Sequence, residues 1–376
     1  MIENKKKILS LSEKLSWLRL IRSENVGPIT FFKLLERFGT VSNALKALPD
    51  LARRGGKSGR IKIASKADAE QEMQSLQDLG IQLIAWGEAD YPPLLARIED
   101  PPPLITVLGH THLLAKKAIA IVGARNASVN GIRFARKIAE DLGQAGVLVV
   151  SGMARGIDAG AHEGALASGT IGVLAGGVDV VYPKENEKLY QAIQEQGALV
   201  SEIAVGTKPQ ARHFPRRNRL ISGISRGVVV VEAARRSGSL ITANFALEQG
   251  REVFSVPGSP LDPRAGGTID LIRQGATVTE SAADIVNFLN GMLGASLEEP
   301  QGIDFKEENS PLPNEKELQN VRSRIEESLG PSPVSVDEII RIGQFSPAVV
   351  AVVLLELELA GRLERHPGNQ ISLIRI

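Results

Sequence analysis

The sequence predicts an α/β protein: a doubly wound, mainly parallel sheet, with a helical domain before it and a winged-helix domain after it. Three observations point there. Short, almost wholly apolar β-branched runs recur through the middle of the chain, as strands covered on both faces require. Gly-rich turns and helical stretches alternate with them, the order of right-handed βαβ units. After a stretch rich in acids and prolines, three helical segments and a hairpin close the chain, which is the winged-helix pattern.

Residues 1–79 form the helical N-terminal domain, of SAM or helix-hairpin-helix type. Leu15, Leu18, Leu20 and Ile21 precede the turn Asn25-Val26-Gly27-Pro28. Phe31, Leu34, Leu35 and Phe38 then recur at helical spacing up to Gly39. The turn reads in two ways: as a hairpin whose backbone N–H groups hold a phosphate, or as a plain helix start with Pro in its first turn. Gly55-Gly56-Lys57-Ser58-Gly59 is not a P-loop, because no strand and no earlier spaced Gly precede it. It reads as a mobile basic loop.

Residues 80–290 carry the sheet, with strands predicted at 81–85, 118–122, 147–150, 171–174, 199–201, 227–231 and 252–256. Helices are predicted at 131–142, 160–167, 188–196 and 240–249. In such sheets a ligand sits beyond the carboxyl ends of the strands. Residues 291–313 lack periodicity and read as an acidic linker. In the winged-helix domain, 314–376, helices are predicted at 315–329, 336–342 and 346–359, followed by a hairpin. The last helix, SPAVVAVVLLELELAG, offers few polar side chains for reading bases, which favours protein contact over DNA reading.

A length of 376 residues fits two or three domains. The absence of cysteine removes disulfides, zinc–thiolate sites, iron–sulfur clusters and thiol nucleophiles. The N-terminus has lysines but no apolar core like that of a signal peptide, and no run of about 18 apolar residues occurs. A soluble, cytoplasmic protein without membrane insertion is expected. The net charge of +1 hides an asymmetry. Residues 205–251 carry nine Arg/Lys against two acids, whereas 291–340 carry four against eleven. Such a basic stretch is the footprint of an anion-binding surface.

Three strand-to-helix turns carry the candidate chemistry. The first, Gly123-Ala-Arg125-Asn126-Ala-Ser128, resembles a dinucleotide phosphate turn but lacks G-x-G-x-x-G. No acid follows the next strand to take a ribose hydroxyl, so no nicotinamide or flavin cofactor is expected. Arg125 stands where a phosphate clamp belongs. The second turn, Ser151-Gly152-Met-Ala-Arg155-Gly156-Ile-Asp158, lets a ligand approach the backbone closely. Asp158 and His162 form either an acid–base pair or a structural cap. The structural reading is favoured, since no Ser or Cys nucleophile accompanies them. The third, Glu232-Ala-Ala-Arg235-Arg236-Ser237-Gly238-Ser239-Leu-Ile-Thr242, runs a strand into a helix start beside two arginines, a phosphate cradle. Just upstream, His213-Phe214-Pro215-Arg216-Arg217-Asn218-Arg219 places guanidinium forks and one stacking ring on what reads as a loop. His110 and His112 lack a third ligand at sensible spacing, so no metal site is expected.

The stretches AIVGARNASVNG, SGMARGIDAGAHEGAL, TIGVLAGGVDVVYPKEN, SEIAVGTKPQARHFPRRNRLISGIS, VVVVEAARRSGSLITANFALEQGREVFSVPG and GGTIDLIRQGA closely resemble the DprA/Smf family of bacterial DNA processing proteins. The resemblance implies a Rossmann-like domain that binds single-stranded DNA, forms a homodimer and helps load the recombinase RecA during natural transformation. It implies DNA contacts at Arg125, Ser151, Gly152, Phe214, Arg217, Arg219 and the 237–242 turn. Ala124 and Ala175 depart from the family, where Ser and Gly are common, and Ala211 stands where a basic contact is common. The rival is a nucleoside-monophosphate phosphoribohydrolase of the LOG type. Its P-G-G-x-G-T-x-x-E turn ends in a catalytic Glu, and the turn from Ser237 to Asn244 has no acid at that end. No catalytic residue is therefore expected. A transcription regulator acting through the winged helix is weakened by the apolar last helix.

Overall fold

The computed structural model describes residues 9–294, 315–366 and 368–374. The predicted acidic linker lies outside the described residues, apart from 291–294, which extend a helix. Four helices lead the chain: α1 (Leu11–Ile21), α2 (Pro28–Phe38), α3 (Val41–Arg54) and α4 (Lys66–Asp78). Gly27 precedes α2 as its N-cap and Pro28 opens it, which both readings of the turn require. The chain divides within α4 into two compact units, Glu70–Ser296 with the first ten residues, and Leu11–Ala69 with Leu297–Ile376.

The first unit is the sheet. Its strands are β1 (Gln82–Ala85), β2 (Leu104–Gly109), β3 (Ala118–Val122), β4 (Leu148–Ser151), β5 (Thr170–Val173), β6 (Ala198–Ser201), β7 (Gly227–Val230), β8 (Glu252–Ser255) and β9 (Thr277–Val278). They lie in the order β1-β2-β6-β5-β4-β3-β7-β8-β9. β1 and β2 pair antiparallel, as do β2 and β6; the remaining pairs are parallel. The chain winds outward from β3 through β4, β5 and β6, then restarts at β7 on the other side of β3. The winding reverses between β3 and β7, where a crevice opens at the carboxyl ends.

The helices between the strands are α5 (Val129–Gln144), α6 (Ile157–Ala165), α7 (Glu187–Gln196), α8 (His213–Ile224), α9 (Gly238–Glu248), α10 (Gly266–Arg273) and α11 (Ala282–Gly294). Strand alternation sorts the core between them. Ala118, Ala120 and Val122 of β3 pack with Leu220 and Ile221 of α8 and Ala243 of α9. Ile119 and Ile121 face the other way, toward Ile138 of α5, Ile157 of α6 and Ile285 of α11. Both faces are covered, which is why β3 is apolar throughout.

The second unit joins the two ends of the described chain. Its C-terminal elements are α12 (Glu315–Ser328), β10 (Val334–Ser335), α13 (Val336–Gly343), α14 (Pro347–Leu359), β11 (Leu363–His366) and β12 (Gln370–Leu373). Ser346 stands at the N-cap of α14, without a side-chain capping bond, and Pro347 opens the helix. α14 is buried from two sides. Val350, Val353, Leu354 and Leu357 pack with Ile325 of α12 and Ile371 of β12. Leu355 and Leu359 join the core of Phe31, Leu34, Leu45 and Leu48 from α2 and α3. The approach is close: a Cβ at Gly55 would lie 1.9 Å from the Glu356 carbonyl oxygen. The predicted mobile loop is thereby tied down, with Gly55 against α14 and Lys57 paired to Glu24 at 2.9 Å. Asn25, in the left-handed region (φ 58°), donates to the Leu359 carbonyl at 3.0 Å. The turn read as a possible phosphate holder is thus engaged with the end of α14.

Candidate nucleic-acid interface

Each of the three turns is built by hydrogen bonds that its own sequence supplies. After β3, Gly123 allows close packing, since a Cβ there would sit 2.6 Å from the Ile157 side chain. Ser128 caps α5 by accepting from the Gly131 N–H at 2.9 Å, and its hydroxyl donates to Glu232 at 2.5 Å. Ser128 is therefore a cap clamped to the end of β7 and is not free to hold a ligand, contrary to the sequence expectation. Arg125 between them is exposed and, among the described residues, has no ion pair.

After β4, the Ser151 hydroxyl donates to the Ile121 carbonyl at 2.6 Å with the side chain fully buried. It fastens β4 to β3, so it too is structural. Asp158 accepts from the N–H groups of Gly152 (3.1 Å) and Ala154 (3.3 Å), holding the turn in shape. Burial pushes its carboxyl up, against the pull of nearby Arg217. His162 does not pair with it. Its Nδ1 meets the Thr170 hydroxyl at 2.8 Å, and burial drives its pKa down to about 3, leaving it neutral. The structural reading of Asp158 and His162 agrees with this arrangement, except that Asp158 holds the turn before α6 and does not cap the helix. Arg155 is exposed and faces Glu185 at 3.7 Å.

The segment from His213 to Arg219 is the largest departure from the sequence reading. It is the first part of α8 and not a loop: Pro215 falls in the first turn, where its missing N–H costs no helical bond. Helical periodicity then turns the arginines different ways. Arg216 is exposed. Arg217 is 6% exposed and donates to the carbonyls of Gly152 (2.5 Å) and Val173. Burial lowers its pKa to about 10, so it stays charged at neutral pH. A Cβ at Gly152 would collide with this guanidinium at 2.7 Å, so Gly152 is the space that Arg217 occupies. Arg219 is 5% exposed and held by Asp100 (3.2 Å) and Glu202 (2.5 Å). The expectation that both arginines lie on a solvated loop is overturned. Asn218 accepts from Arg217 Nε and donates to the Gly238 carbonyl at 3.3 Å, linking α8 to α9.

After β7, Ser237 caps α9 and exchanges a 2.7 Å hydrogen bond with the Ser239 hydroxyl. Gly238 is exposed at the helix start, and Thr242 is buried one turn on. The sequence expectation names Arg235 here, but Arg235 pairs with Asp270 at 3.1 Å. Its neighbour Arg236 is exposed and lines the crevice, with no acid partner among the described residues.

Two clefts result, of about 460 Å³ and 710 Å³. The smaller is the crevice at the β3–β7 reversal, between the Gly123 turn and the start of α9. The larger lies over β4 and β5, and includes Tyr182, Lys184 and Lys208. Arg125, Phe214 and Arg217 line both. Half-buried Phe214 forms the divide: Arg125 lies over its ring at 5.0 Å and the Tyr182 ring is 5.7 Å away. The arrangement combines free guanidiniums, a helix N-terminus and a stacking ring in one concave surface. Sequence reasoning passes over Tyr182, Lys184 and Lys208 as site residues, and of the two arginines beside the third turn it names Arg235 in place of Arg236. The only signal for the first two is the Tyr-Pro-Lys run in an otherwise apolar, Gly-rich stretch. Among the described residues no group of three or more His, Asp or Glu could hold a metal, and no helix is long and apolar enough to cross a membrane.

Three sequence models of one family match the chain in order: a DprA-like N-terminal HHH domain over 12–75, DNA recombination-mediator protein A over 82–290, and a DprA winged helix domain over 309–369. The chain belongs to the DprA/Smf family. Protein Smf of Synechocystis is 33% identical across 95% of this chain and 98% of its own length. DNA processing protein DprA of Bacillus subtilis is 46% identical across 57% of this chain and 73% of its own. The X-ray structure of DprA from Streptococcus pneumoniae superposes with a TM-score of 0.61 at 33% identity, covering 74% of this chain and 98% of that one. A DprA from Helicobacter pylori, described for its single-stranded DNA binding mode, gives 0.52 at 28% identity over 56% of this chain and 96% of its own. The Rossmann-like sheet, helical N-terminus and winged helix expected of a DprA protein are all present.

Proposed function

We propose that this chain binds single-stranded DNA across the two clefts at the carboxyl edge of its sheet, as a homodimer, and passes the strand to the recombinase RecA. The observation that carries the DNA-binding reading is Arg125 stacked on Phe214 at the divide between the clefts, with Arg216 and Arg236 unpaired nearby. Free guanidiniums take backbone phosphates without regard to sequence, and a ring on the path takes a base. The H. pylori relative, described for binding single strands, supports the choice of ligand. The role with RecA rests on family membership alone. We infer no catalysis: the turn from Ser237 to Asn244 lacks the acid that a phosphoribohydrolase needs.

A salt titration of binding to a single strand and to a blunt duplex of the same length tests this. The single strand should bind more tightly, with log affinity falling linearly in log salt by about 0.7 per phosphate contact. Equal affinity for the two would overturn the reading.

A further inference from the structure

The smaller cleft holds donors that tracking a backbone does not explain. Thr242 is 1% exposed and lines the cleft, and its hydroxyl has no hydrogen-bond partner among the described residues. The hydroxyl is not one of the fully buried unpaired polar atoms, so the little surface the residue keeps includes the hydroxyl, which is left for a ligand in the cleft. Beside it, α9 begins. Ser237 satisfies two of the helix's first N–H groups, taking that of Ser239 on its hydroxyl (3.4 Å) and that of Leu240 on its carbonyl (3.1 Å). The N–H of Gly238, which also lines the cleft, has no such partner. Four arginines line the same space: Arg125, Arg217, Arg236 and Arg264. Arg264 is committed to Asp262 at 2.8 Å, and Arg217 is committed to carbonyls, which leaves Arg125 and Arg236. The one acid in the lining, Asp158, is buried beneath two N–H donors.

We propose that this cleft takes a phosphomonoester, the 5′-phosphate of a strand end or of a free nucleotide. The proposal rests on the DNA-binding reading above and specifies what the crevice at the β3–β7 reversal recognises. An internal diester carries one charge and two free oxygens, and its chain must both enter and leave. A monoester carries roughly −1.5 to −2 at neutral pH and three acceptor oxygens. Two unpaired guanidiniums match that charge, and the Gly238 N–H, the Thr242 hydroxyl and an arginine fork match the oxygens.

The test uses the full-length protein at one salt concentration and one oligothymidylate, prepared with a 5′-phosphate or a 5′-hydroxyl. The phosphorylated strand should bind about tenfold more tightly, a difference of about 1.4 kcal/mol. Thr242→Val, which keeps the shape, and Arg236→Ala, which is exposed, should each bring the two strands to the same affinity, whatever the substitution costs the hydroxyl strand. Displacement of the phosphorylated strand by thymidine 5′-monophosphate, but not by thymidine, assigns the pocket to any such phosphate; no displacement assigns it to strand ends. Equal binding of the two strands by the parent overturns the proposal, as does a preference that survives both substitutions. If neither strand binds, the DNA-binding reading fails first. The pocket is then decided by direct titration with thymidine 5′-monophosphate, and no binding overturns it.

Discussion

Two parts of this chain resemble DNA-reading elements, and their arginines are treated in opposite ways. At the carboxyl edge of the sheet, Arg125, Arg216 and Arg236 are exposed with no acid partner among the described residues. Around α14, Arg322 is paired with Glu356, Arg362 with Glu326 and Arg365 with Glu358, while Arg324 lies over the Phe345 ring. The apolar residues of α14 are spent on two cores, one of them shared with α2 and α3. A recognition helix must offer a polar face to a groove, and α14 has none left to offer. What separates Arg125, Arg216 and Arg236 from the arginines around α14 is therefore the partner that each already has, and at the same sheet edge Arg155 and Arg235 are paired too.

The largest expected effect comes from the arginine that breaks this division. Arg217 sits at the sheet edge yet is buried and bonded like a structural residue. Arg217→Met should cost roughly 3–5 kcal/mol of stability, because it leaves Asp158 without its counter-charge and two carbonyls without their donor. Urea unfolding of the sheet unit measures it. A variant that unfolds like the parent but loses affinity would return Arg217 to the contact residues.

Next in size are the two partners at the divide. Arg125→Ala should weaken single-strand binding by about 1.5–3 kcal/mol and lower the salt slope by about 0.7, with melting unchanged. Phe214→Ala should cost about 1–3 kcal/mol with the slope kept, since stacking releases no counterions. If Phe214→Ala flattens the slope as much as Arg125→Ala does, the ring serves only to hold Arg125 in place.

Much of this was legible in the sequence. The seven strands predicted between 81 and 256 are all present, shifted at most by a residue or two, because apolar β-branched runs bounded by glycines leave little choice. β2 and β9 were not: Leu104–Gly109 and the two-residue Thr277–Val278 are absent from the predicted strands. The misreading of α8 had the larger consequence. A segment with Pro215 and five polar or charged residues looks like a loop, and in the helix that forms there Arg216 is exposed while Arg217 and Arg219 are buried. The engagement of Ser128 with Glu232 was equally hidden, since it joins residues 104 positions apart. Local pattern locates the turns; long-range pairing decides which of their side chains remain free.

The smallest effect is expected where the comparison is most easily broken. Arg362 and Arg365 lie at and beside the hairpin of the winged helix, where a wing would touch a phosphate backbone. Both are partly buried and already hold glutamates, at 2.7 and 3.0 Å. Replacing both with Ala removes two cations from the chain. If the pairs are spent on the fold, single-strand affinity and salt slope should stay at the parent's values, within about twofold. Stability should fall by no more than about 1 kcal/mol per pair, the ordinary worth of an ion pair near the surface. Measuring the slope is decisive here, because a lost phosphate contact lowers it by about 0.7 whatever happens to stability. A lowered slope in this double variant would mean that the pairs open on binding. The winged helix would then share the strand with the sheet edge, and the contrast between the two regions would disappear.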